Sequence, residues 1–439
     1  MHARDRQRGK FPLAAALLIS GLRAAALLCL FATALSPLVV ATGFMWPFVE
    51  SKALWFRGTT GLAFVCWLTL CFVTSRWRLR FNPILGLFAA VVAALLLADV
   101  LAPIPVLSFF GRTERMEGFF GIAYLFLFAL TATALLDTEA WRRRFVAACL
   151  GVSVLLALVS FWQFYMFTTA GRPEMQVFST LGNPTYLAQY AAFMICLSFW
   201  RAAHAGWRSR LACIVVGVLN LAVLYLTQGR AAALALVGAG VAVAVLAADR
   251  AARRGVLAGV GGAAILLIAV PLLHDSLPWL PRYRFFLDFS WDDPRIVIWK
   301  HALTAIPQRP WLGWGQEGML TSGGWMMKVD RAHNLVLDWL VQAGVLGLTL
   351  WLSLLGFMAY RVWETHAGVE RAALCALLMI YFLTDMVLFD TLTSYFVLAL
   401  TMVLVGSRPV RAGLQRQRQW SRQQWLDRAM REGCILRNA

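Results

Sequence analysis

The sequence predicts an all-α, polytopic membrane protein of about twelve transmembrane helices. Of its 439 residues, 60% are hydrophobic and only 14% are charged, whereas an average soluble domain carries about 25% charged residues. Apolar runs of about 20 residues, each able to cross a hydrocarbon core of about 30 Å as a helix, follow one another with short basic interruptions. We therefore expect one integral membrane domain over residues 1–439.

The predicted spans follow from the limits of the apolar runs. They are residues 20–43, 59–75, 84–102, 119–136, 145–167, 185–200, 211–228, 231–248, 255–273, 334–359, 372–388 and 390–406. The turn TQGR, residues 227–230, divides a stretch that would be nearly twice the membrane thickness as one helix.

The distribution of positive charge predicts the orientation of the chain. Most of the 40 Lys and Arg residues lie near the N-terminus, in alternate connections and in the tail at 407–439. The positive-inside rule then places both termini in the cytoplasm. The net charge of +18 is therefore a topology signal, and we expect anionic membrane lipids, not nucleic acid, as the partner of the basic tail.

Cysteine usage suggests no metal or redox chemistry. Seven of the eight cysteines lie in or beside apolar spans, and Cys434 lies in the tail. This spacing indicates neither a disulfide framework nor a zinc site. We expect a protein without a bound metal or cofactor.

A connection of about 60 residues, from His274 to His333, faces outward in this orientation. Loops of such length are usually functional or disordered, and the Trp, Gly and Pro content of residues 274–333 predicts a folded, partly helical cap. Within it, WDDPRIVIWKHALTAIPQRP predicts an amphipathic helix capped by Asp293, begun by Pro294 and ended by Pro307. The expected apolar stripe comprises Ile296, Trp299 and Leu303.

His333 is the residue to which we assign chemistry, because it lies where this cap enters a long apolar helix. Histidine titrates near neutrality, so a histidine at a water-facing helix mouth can exchange protons with a substrate. Asn334 follows and is suited either to orient a ligand or to cap the helix. Asp338, five residues on, is expected to pair with an arginine, and Glu317 to be an exposed loop residue.

Four outward arginines are candidate anion ligands, each with a simpler explanation. Arg295 lies in the first turn of the cap helix, where the helix dipole disfavours a cation, although it suits a surface ion pair equally well. Arg230 lies between two apolar runs and must either snorkel or meet an anion. For Arg112 and Arg115, beside Glu114 and Glu117 in FFGRTERMEGFF, salt bridges within the loop are the simpler explanation.

Three motifs in order resemble the O-antigen ligase and polymerase superfamily. They are TQGRAAALAL, DDPRIVIWKHALTAIPQRPWLGWGQEGM and RAHNLVLDWLVQAGVLGL, which together cover about residues 225–350. GRTERMEG and GNPTYLAQY also resemble segments of many members. The chain departs from the usual pattern at Gln228, where the turn commonly has Ser, and at Gln342, where many members have Glu.

The resemblance implies a metal-independent GT-C-type glycosyltransferase in the bacterial inner membrane. It implies that His333 acts on the acceptor hydroxyl in the periplasm, while Arg230 and Arg295 hold the pyrophosphate of an undecaprenyl-linked glycan. Arg112, Arg115 and Asn334 are further candidate ligands. The expected reaction moves O-antigen to the lipid A core with inversion of the anomeric carbon.

Other functions stay open on the sequence alone. Within the superfamily, a polymerase would extend the glycan on its carrier, and an oligosaccharyltransferase would modify protein hydroxyls. Outside it, a transporter or flippase would move the same lipid-linked glycan. A transporter predicts internal repeats with broken helices in both halves, a pattern that we do not see.

Overall fold

A computed structural model describes residues 13–79, 82–172, 175–203, 205–246, 294–323 and 329–406, together with Arg254 and Gly261. The described part of the chain is helical, with no strand. Its helices are α1 (Leu13–Thr33), α2 (Glu50–Val73), α3 (Pro83–Val100), α4 (Pro105–Phe110), α5 (Phe119–Leu135), α6 (Glu139–Thr169), α7 (Pro184–Ala202), α8 (Trp207–Leu226), α9 (Arg230–Leu246), α10 (Pro294–Ala305), α11 (Gly318–Thr321), α12 (Leu335–Thr365), α13 (Gly368–Asp385) and α14 (Leu392–Gly406).

Eleven of the predicted spans coincide with helices, and the remaining one, 255–273, lies outside the described residues. Six described helices, α1, α2, α3, α6, α8 and α12, are long and apolar enough to cross a membrane. Helices α5, α9 and α14 are apolar but shorter. The chain is thus a multi-pass membrane protein, and the total of twelve spans stays a prediction.

Two sequence predictions about individual helices were wrong. The first span was expected to run to residue 43, but α1 ends at Thr33 and a short 3-10 turn follows at Ser36–Leu38. The helix cannot continue through Pro37, because proline has no amide hydrogen to donate. In α10, which does begin at Pro294, Leu303 is 59% exposed. The buried side of α10 is instead formed by Ile298, Ala302 and Ala305.

Aromatic side chains from four helices form part of the bundle core. Phe56 of α2, Phe128 of α5, Phe145 of α6 and Phe396 of α14 are all buried and pack with ring centroids between 5.2 and 6.3 Å apart. Tilted and edge-on ring contacts of this kind are favourable beyond the burial of area. They fix the helices whose ends carry the candidate site.

Helix α12 is broken at Gly344, where φ is 63° and ψ is −165°. The break frees two carbonyls and two amides of the helix. The carbonyls of Val341 and Gln342 accept hydrogen bonds from the amides of Trp314 and Gly315, at 2.7 and 2.9 Å. The amides of Val345 and Leu346 donate to the carbonyls of Pro310 and Trp311, at 2.8 and 3.2 Å.

The segment Pro310–Gly315 thus replaces two bonds of the helix ladder with four bonds of its own. Every main-chain group freed by the break has a partner, as irregular backbone beside a membrane requires. A Cβ atom at Gly344 would lie 2.3 Å from the carbonyl carbon of Trp311. Only glycine permits this approach, so PWLGWG at 310–315 and GVLG at 344–347 are the two halves of one joint.

Candidate active site

The loop between α4 and α5 carries Arg115 and Glu117, and both side chains pair with the segment that precedes α12. Arg115 Nε donates to Asp330 Oδ2 at 2.7 Å, and Arg331 Nη2 donates to Glu117 Oε2 at 3.1 Å. Met116, between the two loop residues, has a φ of 53°. We call these two crossed salt bridges the ion-pair clamp. They join segments more than 200 positions apart in the chain.

Arg331 is the most deeply buried charge of the clamp, with 5% of its surface exposed. Burial alone would lower the pKa of Arg331, but the surrounding Glu117, Glu317 and Asp338 raise it, so this side chain stays charged. Burial raises the pKa of Glu117 to about 7, although Arg331 and Arg115 oppose that change. The carboxyl groups of Glu117, Glu317, Asp330 and Asp338 thus lie around the two guanidinium groups of Arg115 and Arg331.

Phe389, in the connection between α13 and α14, contacts three side chains of the site. The Arg115 guanidinium lies 4.1 Å from the centroid of the Phe389 ring, and the His333 ring meets it edge-on at 4.8 Å. Tyr186 of α7 packs on the same ring at 5.8 Å and accepts a hydrogen bond from Arg115. One aromatic ring thus sets the distance between His333 and Arg115.

The His333 side chain is a neutral imidazole in a positive environment. Burial, followed by the charges of Arg295 and Arg115, lowers the pKa of His333 to about 4, while Asp330 acts in the opposite direction. The backbone of His333 has a φ of 50°, a strained conformation that is common at functional sites. Met116, Gln228 and Glu317 share this unusual conformation.

Five hydrogen bonds of the neighbouring residues Ala332 and Asn334 hold the His333 loop in this conformation. Trp299 Nε1 of α10 donates to the carbonyl of Ala332 at 2.9 Å, and the Ala332 amide donates to Asp338 Oδ1 at 2.6 Å. Asn334 Oδ1 accepts from the amides of Val336 and Leu337, both at 3.1 Å. Asn334 therefore caps α12, and its Nδ2 also donates to the carbonyl of Met386.

Two expectations about acidic residues need correction. Glu317 was expected to be an exposed loop residue, but it is fully buried, and burial raises its pKa although Arg331 opposes the change. Asp338 was expected to pair with an arginine. Its closest contact is the Ala332 amide, and within the described residues no salt bridge joins it to Arg331, although the two charges are close enough to interact.

The prediction of salt bridges within the GRTERMEG loop was half right. Arg112 pairs with Glu114 at 3.1 Å, and both side chains are about one-third exposed. Arg115 instead pairs across the site with Asp330. The structure therefore brings Arg115, Arg295 and His333 together and leaves Arg112 paired within its own loop.

Arg230 begins α9 and is exposed. The preceding Gly229 packs so closely on α7 that a Cβ atom there would lie 2.2 Å from the Cβ of Ala188. Ala188 lies two residues after Tyr186, so the turn lies beside the part of α7 that reaches the site. Within the described residues, no hydrogen bond or ion pair joins Arg230 to the ion-pair clamp.

A comparison with protein families finds a match for the central part of the chain. A family model described as O-antigen ligase matches residues 215–352, which include α9, α10, the ion-pair clamp residues Asp330 and Arg331, and most of α12. Residues 215–352 belong to the O-antigen ligase family. A comparison with curated protein sequences gives no match.

The chain is thus a membrane protein with an O-antigen ligase domain, and the family match confirms the resemblance in the sequence. The domain alone does not complete the site. Arg115, Glu117, Tyr186 and Phe389, which surround His333 or its loop, all lie outside residues 215–352. Among the described residues, no group of three or more His, Cys, Asp or Glu side chains is arranged to hold a metal ion.

Several residues of the site were missed by reasoning from the sequence. Phe389 resembles an ordinary core aromatic in an apolar chain, and no spacing signal marks it. Tyr186 lies in GNPTYLAQY, a segment that resembles many members of the superfamily, but no role was assigned to it. Asp330 and Arg331 carried a signal that was overlooked. This acidic and basic pair, just before His333, is complementary in charge to Arg115 and Glu117.

Proposed function

We propose that the O-antigen ligase domain transfers a glycan from undecaprenyl pyrophosphate to a hydroxyl group of the lipid A core, at the periplasmic face of the inner membrane. The observation that carries the proposal is the pairing of His333 with Arg115 on the ring of Phe389, within the electrostatic field of Arg295. A neutral base among guanidinium groups suits the attack of a hydroxyl on a sugar held by an anionic leaving group.

Arginine suits the leaving group because guanidinium stays charged and binds phosphate oxygens bidentately. Arg295 and Arg230 are the proposed pyrophosphate ligands. Arg115 is engaged by Asp330 and Tyr186, so it contributes positive charge from a fixed position. Arg112 is paired with Glu114 at the edge of the loop and is a ligand only if that exposed salt bridge opens.

The proposed step is a single displacement. The acceptor oxygen forms a bond to the anomeric carbon as the bond from that carbon to the pyrophosphate oxygen breaks. The acceptor proton moves to His333, the electron pair of the broken bond leaves with the pyrophosphate, and the configuration inverts. Asn334, which caps α12, keeps the imidazole at the mouth of the helix.

Donor binding is expected to strengthen the base. Burial and the nearby arginines hold the pKa of His333 at about 4, so the ring is neutral at pH 7 but accepts protons weakly. The negative charges of a bound pyrophosphate oppose those of the arginines. The pKa of His333 then rises toward neutrality when the donor is in place.

The test compares the wild-type protein with His333→Ala in transfer from an undecaprenyl-pyrophosphate glycan to rough lipopolysaccharide, with products resolved on a gel. We expect the substitution to lower the rate by about 10²- to 10⁴-fold, which is the usual effect of losing a general base. His301→Ala is the matched control, because His301 lies in α10 and bonds Ser322. It should transfer glycan at the wild-type rate.

The products also separate the alternative functions. Glycan that lengthens on its carrier identifies a polymerase, and glycan on an added protein identifies an oligosaccharyltransferase. If His333→Ala transfers at the wild-type rate while export of the lipid-linked glycan fails, the protein is a transporter and the proposed function is wrong.

A further inference from the structure

A small cavity lies next to the site, on the side of α2 and α5. Arg115, Glu117 and Tyr186 form part of its wall, together with two basic residues of α2, Lys52 and Arg57. The remaining lining is mostly apolar and includes Phe48, Phe56, Ile122, Leu125, Leu181 and Leu392. Neither His333 nor the proposed pyrophosphate ligands line it.

Two basic side chains of the cavity wall lack a paired carboxylate among the described residues. Arg115 is already paired with Asp330, and Glu117 is already paired with Arg331. No salt bridge joins Lys52 or Arg57 to a carboxylate in the described part of the chain. Lys52 Nζ donates to the carbonyl of Val39 at 2.8 Å, and Arg57 donates to the carbonyl of Met116.

Lys52 is only 4% exposed, although an ammonium group is strongly hydrated in water. Burying a cation against a neutral carbonyl is unfavourable unless a counter-charge arrives. Each cation has donor hydrogens left after its one carbonyl contact, because an ammonium has three and a guanidinium five. An anion in the cavity would satisfy both groups.

The cavity has room for an anion. Its accessible volume is about 60 Å³, several times the minimum that one water needs, so a small anion such as a phosphoryl group fits between Lys52 and Arg57.

We propose that the cavity lined by Lys52 and Arg57 binds a phosphoryl group of the acceptor while Arg230 and Arg295 hold the donor. This inference rests on the proposed function. The reaction brings two substrates to one histidine, and Arg115 and Tyr186 belong to both the site and the cavity wall. An anion bound there lies beside the reacting hydroxyl and fixes the acceptor relative to His333.

The first test measures KM for two acceptors at saturating donor: native lipid A core, and the same core after enzymatic removal of its phosphates. With the native acceptor, Lys52→Met should raise KM about tenfold, the effect of losing one charge-assisted hydrogen bond. Dephosphorylation should raise the wild-type KM similarly, and the two changes together should be no worse than either alone. Lys300→Met, on the exposed side of α10, is the matched control.

Additive effects of the substitution and of dephosphorylation would overturn the proposal, because the lysine would then act elsewhere. Lys52→Arg should restore most of the native KM, which separates loss of the charge from a folding defect. Inorganic phosphate should inhibit transfer competitively with the acceptor. Competition with the donor would assign the cavity to the pyrophosphate and also overturn the proposal.

Phosphate binding is measured without transfer as well, so that failure of the proposed function is distinguishable. Inorganic phosphate should raise the Tm of the detergent-solubilised wild type and leave that of Lys52→Met unchanged. If the wild type transfers no glycan but gains this stability, the cavity binds phosphate and the proposed function fails. No effect of phosphate on the Tm of either protein would mean that the cavity binds no phosphoryl group and would overturn the proposal.

Discussion

The two segments beside the first part of α12 are held in different ways. Pro310–Gly315 is bound by main-chain hydrogen bonds to the broken helix, whereas the loop at 330–334 is bound largely by the ion-pair clamp of Arg115, Glu117, Asp330 and Arg331. Main-chain bonds depend on shape and are indifferent to pH. Ion pairs depend on the charges around them, so a charged substrate can influence the loop that carries His333 but not the segment beside it.

The largest expected effect is on the main-chain joint. Gly344→Ala places a Cβ atom 2.3 Å from the backbone of Trp311 and forces alanine to a φ of 63°. We expect a loss of at least about 3 kcal/mol in the free energy of unfolding, measured as a fall in Tm of the purified protein in detergent. In the same helix, nothing lies within 4 Å of a Cβ atom at Gly356, so Gly356→Ala should change stability by less than about 1 kcal/mol. Equal Tm values for the two variants would contradict the joint.

A smaller but substantial effect is expected when the buried half of the clamp is broken. Glu117→Gln leaves the Arg331 charge without its paired carboxylate, which costs about 3 kcal/mol for a buried pair. Glu114→Gln removes an acid from the same loop, but its pair with Arg112 is about one-third exposed and contributes at most about 1 kcal/mol. The free energy of unfolding of both variants is measured by denaturation in the same detergent. Similar losses of stability would mean that burial does not determine the strength of the two ion pairs.

The smallest expected effect is electrostatic and is read at His333 itself. Diethyl pyrocarbonate modifies neutral imidazole, so in the wild type the rate at His333 should stay constant from pH 7 to pH 5 and fall only as the pH approaches about 4. In Arg115→Gln a cation is lost while Asp330 stays, so the pKa rises and the rate begins to fall at a higher pH. Arg112→Gln, followed by mass spectrometry of the same peptide, should leave the profile unchanged. A constant rate in Arg115→Gln down to pH 5 would show that Arg115 does not control the base.

Local chemistry was predictable from the sequence, and long-range pairing was not. The composition predicts a helical membrane protein, Pro294 predicts the start of α10, and the position of His333 before an apolar run places it at the mouth of α12. These predictions need only neighbouring residues. Arg115 was assigned to its own loop because Glu114 and Glu117 are close in sequence, whereas its partner Asp330 lies 215 positions away.

The aromatic residues of the site were also not predictable from the sequence. An apolar chain with 29 phenylalanines gives no reason to single out Phe389. Its role follows only from the contacts of its ring with Arg115, Tyr186 and His333. Glu317 was misjudged because a glycine-rich segment is usually exposed. Here Pro310–Gly315 is fixed to a broken helix, and the glutamate that follows is carried inward.

The break divides α12 into two parts of different length. Residues 345–365 rise about 31 Å at 1.5 Å per residue, close to the roughly 30 Å of a hydrocarbon core. The part before Gly344, from Leu335, adds about 13 Å along the axis, more than the depth of a headgroup layer. If residues 345–365 span the core, the donor of the proposed function presents its sugar at the level of His333 while its polyprenyl chain stays in the lipid, so the proposed transfer needs no step that lifts the carrier out of the bilayer.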